Sequence, residues 1–241
     1  MRDLREFIDT LENHGQLARI QEVDPDLEIG GISSLVRREE VGRAVLFSEI
    51  EGTEPGTRLL TNALDTPLQV MVALGREPTT NIRDVIQAQK DRASVTETRP
   101  TRTVESGPVT TNVDRDEDVD ITRFPAPKWH ENDGGRYIGT GDLVVTRHAE
   151  TGEINAGTYR VQVHGPRTAT ISIDTGRDGE QNQRSYLEND EPFPAVVSLG
   201  HQPDLFMAAN ERVPSGINEL EYVSAGRDEP LEVIDGEVTD L

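Results

Sequence analysis

The apolar spacing changes period along this chain, and that switch limits the folds open to it more than any other feature. Leu4, Phe7, Ile8 and Leu11 fall on one helical face, and Gly15 stands where a helix would end. Short strand-like runs follow, LARIQEV, RAVLFSEIEG and RLLTNAL, with helical spacing returning in PDLEIGGISSLVRREE and TPLQVMVALG. Thr66 is placed to cap the last of these, with Pro67 at its first position. Strands alternating with helices predict an α/β unit. From Leu143 onward the period falls to two, in LVVTRH, INAGTYRVQVHG, TATISID and PAVVSLG, with hairpin turns expected at AETGE and HGPRT. The boundaries implied are an α/β domain with an extended crossing over 1–115, and a mostly β domain over 116–241.

Charge narrows the partners. The 45 acidic residues outnumber the 24 basic ones for a net charge of −21, and Lys90 and Lys128 are the only lysines. A chain so acidic and so poor in lysine is expected from a halophile, where concentrated salt screens the self-repulsion. Nucleic acid is not an expected partner, since phosphate contacts need clustered Lys or Arg. No apolar run approaches the roughly 18–20 residues of a membrane span, and the opening residues read without a signal-peptide core. A cytoplasmic protein is the simplest expectation. With no cysteine, thiolate chemistry is out and any metal must take O or N ligands.

The stretch INAGTYRVQVHG carries the most chemistry. Alternation puts Tyr159, Val161 and Val163 on one face and Thr158, Arg160, Gln162 and His164 on the other. Taken alone, it reads as a sheet with one solvated face, with Asn155 and Gly157 as a strand-entry turn.

The wider context changes that reading. DLREFIDTLENHGQLARIQEVDPDLEIGGI, FPAPKWHENDGGRYIGTG, NAGTYR and GINELEYVSAG occur in this order, and together they resemble the UbiD family of prenylated-FMN-dependent decarboxylases. The resemblance implies a flavin-reductase-like split β-barrel after the α/β domain. It implies a divalent metal, usually Mn2+, that holds the cofactor phosphate, with potassium as a further ion. Asn155 stands at the metal-binding Asn of the family's NxGxxR strand, and Glu219 at a second ligand in GxxE. Many members carry a histidine as the remaining ligand; here IDTGRDGE offers Asp178, a carboxylate that a hard cation accepts readily. Arg160 matches the arginine of a catalytic Glu-Arg-Glu network. Thr158 and Tyr159 would approach the cofactor mainly through backbone, and Arg177 and Gly179, which flank Asp178, would be further cofactor contacts.

Further expectations follow from the resemblance. The catalytic carboxylates of the family lie downstream of the Glu219 region, so the chain reads as C-terminally incomplete and the full-length protein as a homo-oligomer. A flavin prenyltransferase would supply the cofactor, and the substrate would be a small carboxylic acid, aromatic or α,β-unsaturated, of quinone or isoprenoid biosynthesis. His130 is a candidate pocket residue, with the other histidines expected at the surface and Trp129 as a packing anchor between domains. Two rivals remain open at this point: a non-catalytic subunit of a larger carboxylase, and an ordinary FMN oxidoreductase.

Overall fold

The computed structural model describes residues 3–39, 42–94, 97–213, 216–239 and 241. In chain order the elements are α1 (Leu4–Asn13), β1 (Leu17–Val23), α2 (Glu28–Arg37), β2 (Ala44–Ile50), β3 (Arg58–Thr61), α3 (Pro67–Ala73) and α4 (Ile82–Ala93). Then come β4 (Arg102–Thr103), three short 3-10 turns, β5 (Arg136–Gly139), β6 (Leu143–Arg147), β7 (Ile154–Gly157), β8 (Arg160–Gly165) and β9 (Thr168–Ser172). The chain closes with α5 (Asp178–Leu187), β10 (Ala195–Ser198), α6 (Pro203–Ala209), α7 (Glu219–Ala225) and β11 (Glu232–Val233). They form two compact units, one from segments 1–89, 117–140 and 161–171, the other from 90–116, 141–160 and 172–241. No helix among the described residues is long and apolar enough to cross a membrane.

The first unit follows the expected alternation. Asp3 caps α1 by accepting the Glu6 N–H at 2.9 Å, and Phe7, Ile8 and Leu11 are buried. Gly15 takes the left-handed conformation just beyond the helix, which an L side chain would disfavour. Thr66 and Gln69 form a reciprocal capping box at α3, satisfying N–H groups that the first turn leaves open. Strands β1 and β2 pair in parallel and β2 and β3 antiparallel. Val23, Ile29, Val36, Val45, Phe47 and Ile50 make the core, and Trp129 packs against it. The tryptophan is therefore a core anchor within this unit. A second sheet of order β5-β8-β9 completes the unit.

The second unit holds the antiparallel sheet β10-β6-β7 and the small parallel pair β4-β11. Val145 stands opposite Ala156 in the register, so these two and Leu143 share a face. That face meets Leu205, Ala208, Tyr222 and Val223 of α6 and α7. Thr146 stands opposite Asn155, and Val144 opposite Gly157, on the other face. There the Asn182 side-chain amide of α5 donates to Thr146 Oγ1 at 3.0 Å.

Two readings of the β region need correction. INAGTYRVQVHG is not one strand. It breaks at Thr158 and Tyr159 into β7, which pairs with β6, and β8, which pairs with β5. The region also contains three helices, α5, α6 and α7, that period-two reading overlooks. The reason is plain in α5, whose buried residues are Gly179 and Asn182 rather than large apolar side chains. The described strands form four separate sheets of three, three, two and three strands.

Candidate metal and cofactor site

The break after β7 builds the site. Released from the sheet, Thr158 donates its hydroxyl to Asn210 Oδ1 at 3.0 Å, and Tyr159 turns inward to 7% exposure. The ring of Tyr159 lies against two glycines. A Cβ on Gly157 would stand 2.7 Å from ring carbon Cε2, and a Cβ on Gly179 would stand 2.5 Å from the hydroxyl oxygen. Neither position has room for a side chain while the ring is seated there.

The Tyr159 hydroxyl donates to Asn155 Oδ1 at 3.0 Å and accepts the Gly179 N–H at 3.1 Å. That N–H belongs to the first turn of α5, where helix geometry provides no partner, and the preceding Arg177 makes no side-chain cap. Burial pushes the tyrosine's pKa up, and the charges of Asp178 and Glu219 add to this, with the Gly179 N–H and Arg177 opposing. Asn155 is itself buried, at 8% exposure.

Glu219 begins α7, whose cap is Asn218 accepting the Glu221 N–H at 2.9 Å. Its carboxylate Oε2 accepts the Ala156 N–H of β7 at 2.8 Å. Burial raises the pKa of Glu219, hydrogen bonds from Ala156 and its own amide oppose this, and the charge of Asp178 raises it further. Asp178 opens α5 with its side chain exposed, where a negative charge suits the positive end of the helix.

Three expected ligands, Asn155, Asp178 and Glu219, thus come from β7 and the starts of α5 and α7 into one neighbourhood, with Tyr159, Gly179 and Arg177 among them. No cluster of three or more His, Cys, Asp or Glu poised for a metal occurs among the described residues. The donor set here is instead an amide oxygen with two carboxylates. All-oxygen donors suit a hard divalent cation. The mutual repulsion of Asp178 and Glu219 is the kind of cost a bound cation offsets. The residues therefore fit a divalent ion.

The remaining candidates are placed differently. Arg160 opens β8 with an exposed side chain, able to meet a ligand from solvent. Thr158 is half-buried and tied to Asn210 by its side chain. His130 is exposed. His201, expected at the surface, is instead half-buried; its Nδ1 lies 3.2 Å from the Ser198 carbonyl oxygen, and burial lowers its pKa. Sequence reasoning missed the Tyr159 side chain, assigned above to backbone contacts; the small residues at 157 and 179 were its only signal. It also missed Asp142, buried to 1% with neither carboxylate oxygen hydrogen-bonded by any other described residue.

Comparisons with known proteins bear on this arrangement. The family described as "3-octaprenyl-4-hydroxybenzoate carboxy-lyase Rift-related domain" matches residues 102–241, and its N-terminal domain matches residues 8–89. A pyrrole-2-carboxylic acid decarboxylase of Pseudomonas aeruginosa is 33% identical over 241 residues, covering 96% of this chain and 48% of the relative. Vanillic acid decarboxylase of Sedimentibacter hydroxybenzoicus in its closed form superposes with a TM-score of 0.89 at 27% identity, over 100% of this chain and 52% of that one. An evolved dimeric form of the UbiD-class enzyme HmfF from Pelotomaculum thermopropionicum, in complex with prFMN, gives 0.87 at 26% identity, over 100% and 54%. The chain spans about half the length of the curated relatives it matches.

Proposed function

The chain belongs to the UbiD family of carboxy-lyases, and from that premise we propose that it serves the non-oxidative, reversible decarboxylation of an aromatic or α,β-unsaturated carboxylic acid with prenylated FMN and a divalent cation. The observation that carries the proposal is the meeting of Asn155, Asp178 and Glu219 around the Tyr159 hydroxyl. Aromatic acids are favoured within the substrate class, because the named relatives act on pyrrole-2-carboxylic and vanillic acids. Quinone precursors that carry an aryl carboxylate fall in the same class.

Losing CO2 from an sp2 carbon leaves a carbanion, and no side chain can accept its electron pair. Prenylated FMN, when bound, supplies that electron sink. The chain's residues have the tasks of holding and orienting. Asn155, Asp178 and Glu219 hold the cation, which is Mn2+ in this reading and neutralises a cofactor phosphate. The guanidinium of Arg160 stays charged at any working pH and offers a planar fork that orients the substrate carboxylate by paired hydrogen bonds. Thr158, Arg177 and Gly179 complete the wall around the cofactor. The split barrel expected of this fold would have β10-β6-β7 as one of its parts.

Co-expression with a flavin prenyltransferase, purification in molar KCl with Mn2+, and mass spectrometry of the bound flavin test the cofactor. Release of CO2 from pyrrole-2-carboxylate and vanillate, and the Arg160→Lys rate, are measured on the full-length protein that carries the downstream carboxylates. Retained prenylated FMN is expected, with Arg160→Lys keeping the flavin and losing about 10²–10³ in rate. Bound unmodified FMN with NAD(P)H-linked redox activity would instead make the protein an oxidoreductase.

A further inference from the structure

The function proposed above gives the Tyr159 hydroxyl no task of its own, yet it touches two of the three segments bearing the expected ligands. It donates to Asn155 Oδ1 on β7 and accepts the Gly179 N–H at the start of α5. We infer that Tyr159 is a positioning residue. Its hydroxyl sets the carboxamide of Asn155 and the first turn of α5, with Asp178, in the arrangement that binds the divalent cation. The inference rests on the metal reading of Asn155 and Asp178.

Three features support it. A carbonyl oxygen has two acceptor lone pairs, so the hydroxyl can occupy one on Asn155 and leave the other for a cation. The hydrogen bond also decides which end of the amide is presented, since only the oxygen end accepts from a phenol hydroxyl. Finally, the ring is wedged where neither Gly157 nor Gly179 can carry a Cβ, so the hydroxyl has little freedom to move. Second-sphere hydrogen bonds of this kind orient the ligands they touch, and losing one costs about 10–100-fold in metal affinity.

The contact could instead serve packing alone. Tyr159→Phe separates the two roles, because it keeps the ring between the glycines and removes only the hydroxyl. Mn2+ binding to the purified chain, with and without FMN, is followed by electron paramagnetic resonance for the wild type and the variant. Amide hydrogen exchange at Gly179 and thermal melting are measured on the same samples.

The expected result is a fold retained on melting, faster exchange at Gly179, and Mn2+ affinity about 10–100-fold weaker. Equal Mn2+ affinity in both proteins overturns the positioning role, even if Gly179 exchanges faster. A wild type that binds no Mn2+ under either condition overturns the metal reading of Asn155 and Asp178, and the role of Tyr159 with it. Should Tyr159→Phe disturb the fold, Gly179→Ala provides a second route, since it displaces the hydroxyl from the other side while leaving Tyr159 in the chain. It should weaken Mn2+ in the same range, and unchanged affinity in that variant refutes the inference equally.

Discussion

Asp142 should make the protein less stable as pH rises through the mildly acidic range, and Asp142→Asn should remove most of that loss. The residue is 1% exposed at the entry to β6, and neither carboxyl oxygen has a hydrogen-bond partner from any other described residue. Burial raises its pKa from 3.8 to about 6, with its own backbone N–H opposing. A raised acid binds its proton more tightly when folded, so its favourable contribution is full below pH 3.8 and is lost as pH climbs to about 6. A shift of this size corresponds to about 3 kcal/mol, at about 1.4 kcal/mol per unit. The neutral amide of asparagine has nearly the shape of the protonated acid. The variant should therefore match the wild type near pH 4 and exceed it by about 2–3 kcal/mol at pH 7.5. Urea unfolding in molar KCl at a series of pH values measures this, and the surface carboxylates cancel in the difference between the two proteins. A difference that stays flat from pH 4 to 7.5 would refute the reasoning, because Asp142 would then be ionised at little cost, through a partner of its own.

Other expectations rest on separate features. Gly179→Ala should cost about 1–3 kcal/mol in urea unfolding through overpacking against the Tyr159 hydroxyl, whereas Gly134→Ala, where a Cβ meets nothing within 4 Å, should cost far less. Thr66→Ala should destabilise the first unit by about 1 kcal/mol through loss of the α3 capping box, read from the same denaturation curves.

Legibility from sequence divides along physical lines. Elements are readable where several large apolar side chains mark a period, as in α1 with Leu4, Phe7, Ile8 and Leu11 and β2 with its continuous apolar run. The Thr66 and Pro67 pair likewise announces α3. The seven-residue helices α6 and α7, burying Leu205, Met207, Tyr222 and Val223, are too short to establish a period. Reading also fails where burial is achieved by small or polar residues. Helix α5 packs through Gly179 and Asn182, with Asn182 bonded to Thr146, and hydrophobic spacing carries no trace of it. The break at Thr158 and Tyr159 is hidden because alternation continues through it; where β7 ends, the Tyr159 ring sits close against Gly157 and Gly179. As for the site, motif resemblance names Asn155, Asp178 and Glu219 as candidates, but the hydroxyl linking two of their segments depends on a contact spanning 20 residues of the chain.

The bond from the Ala156 N–H to Glu219 also sets a limit on the sheet itself. Among the described residues β7 is the last strand in the order β10-β6-β7, and an edge strand with free amides is a template on which another extended segment can dock. At Ala156 that amide is already taken by the Glu219 side chain from the first turn of α7. Any strand adding there would have to displace the helix end and strip Glu219 of its partner. The residue that is read as a ligand therefore also occupies an amide that an added strand would need. That occupancy persists at salt concentrations high enough to let like-charged copies approach one another.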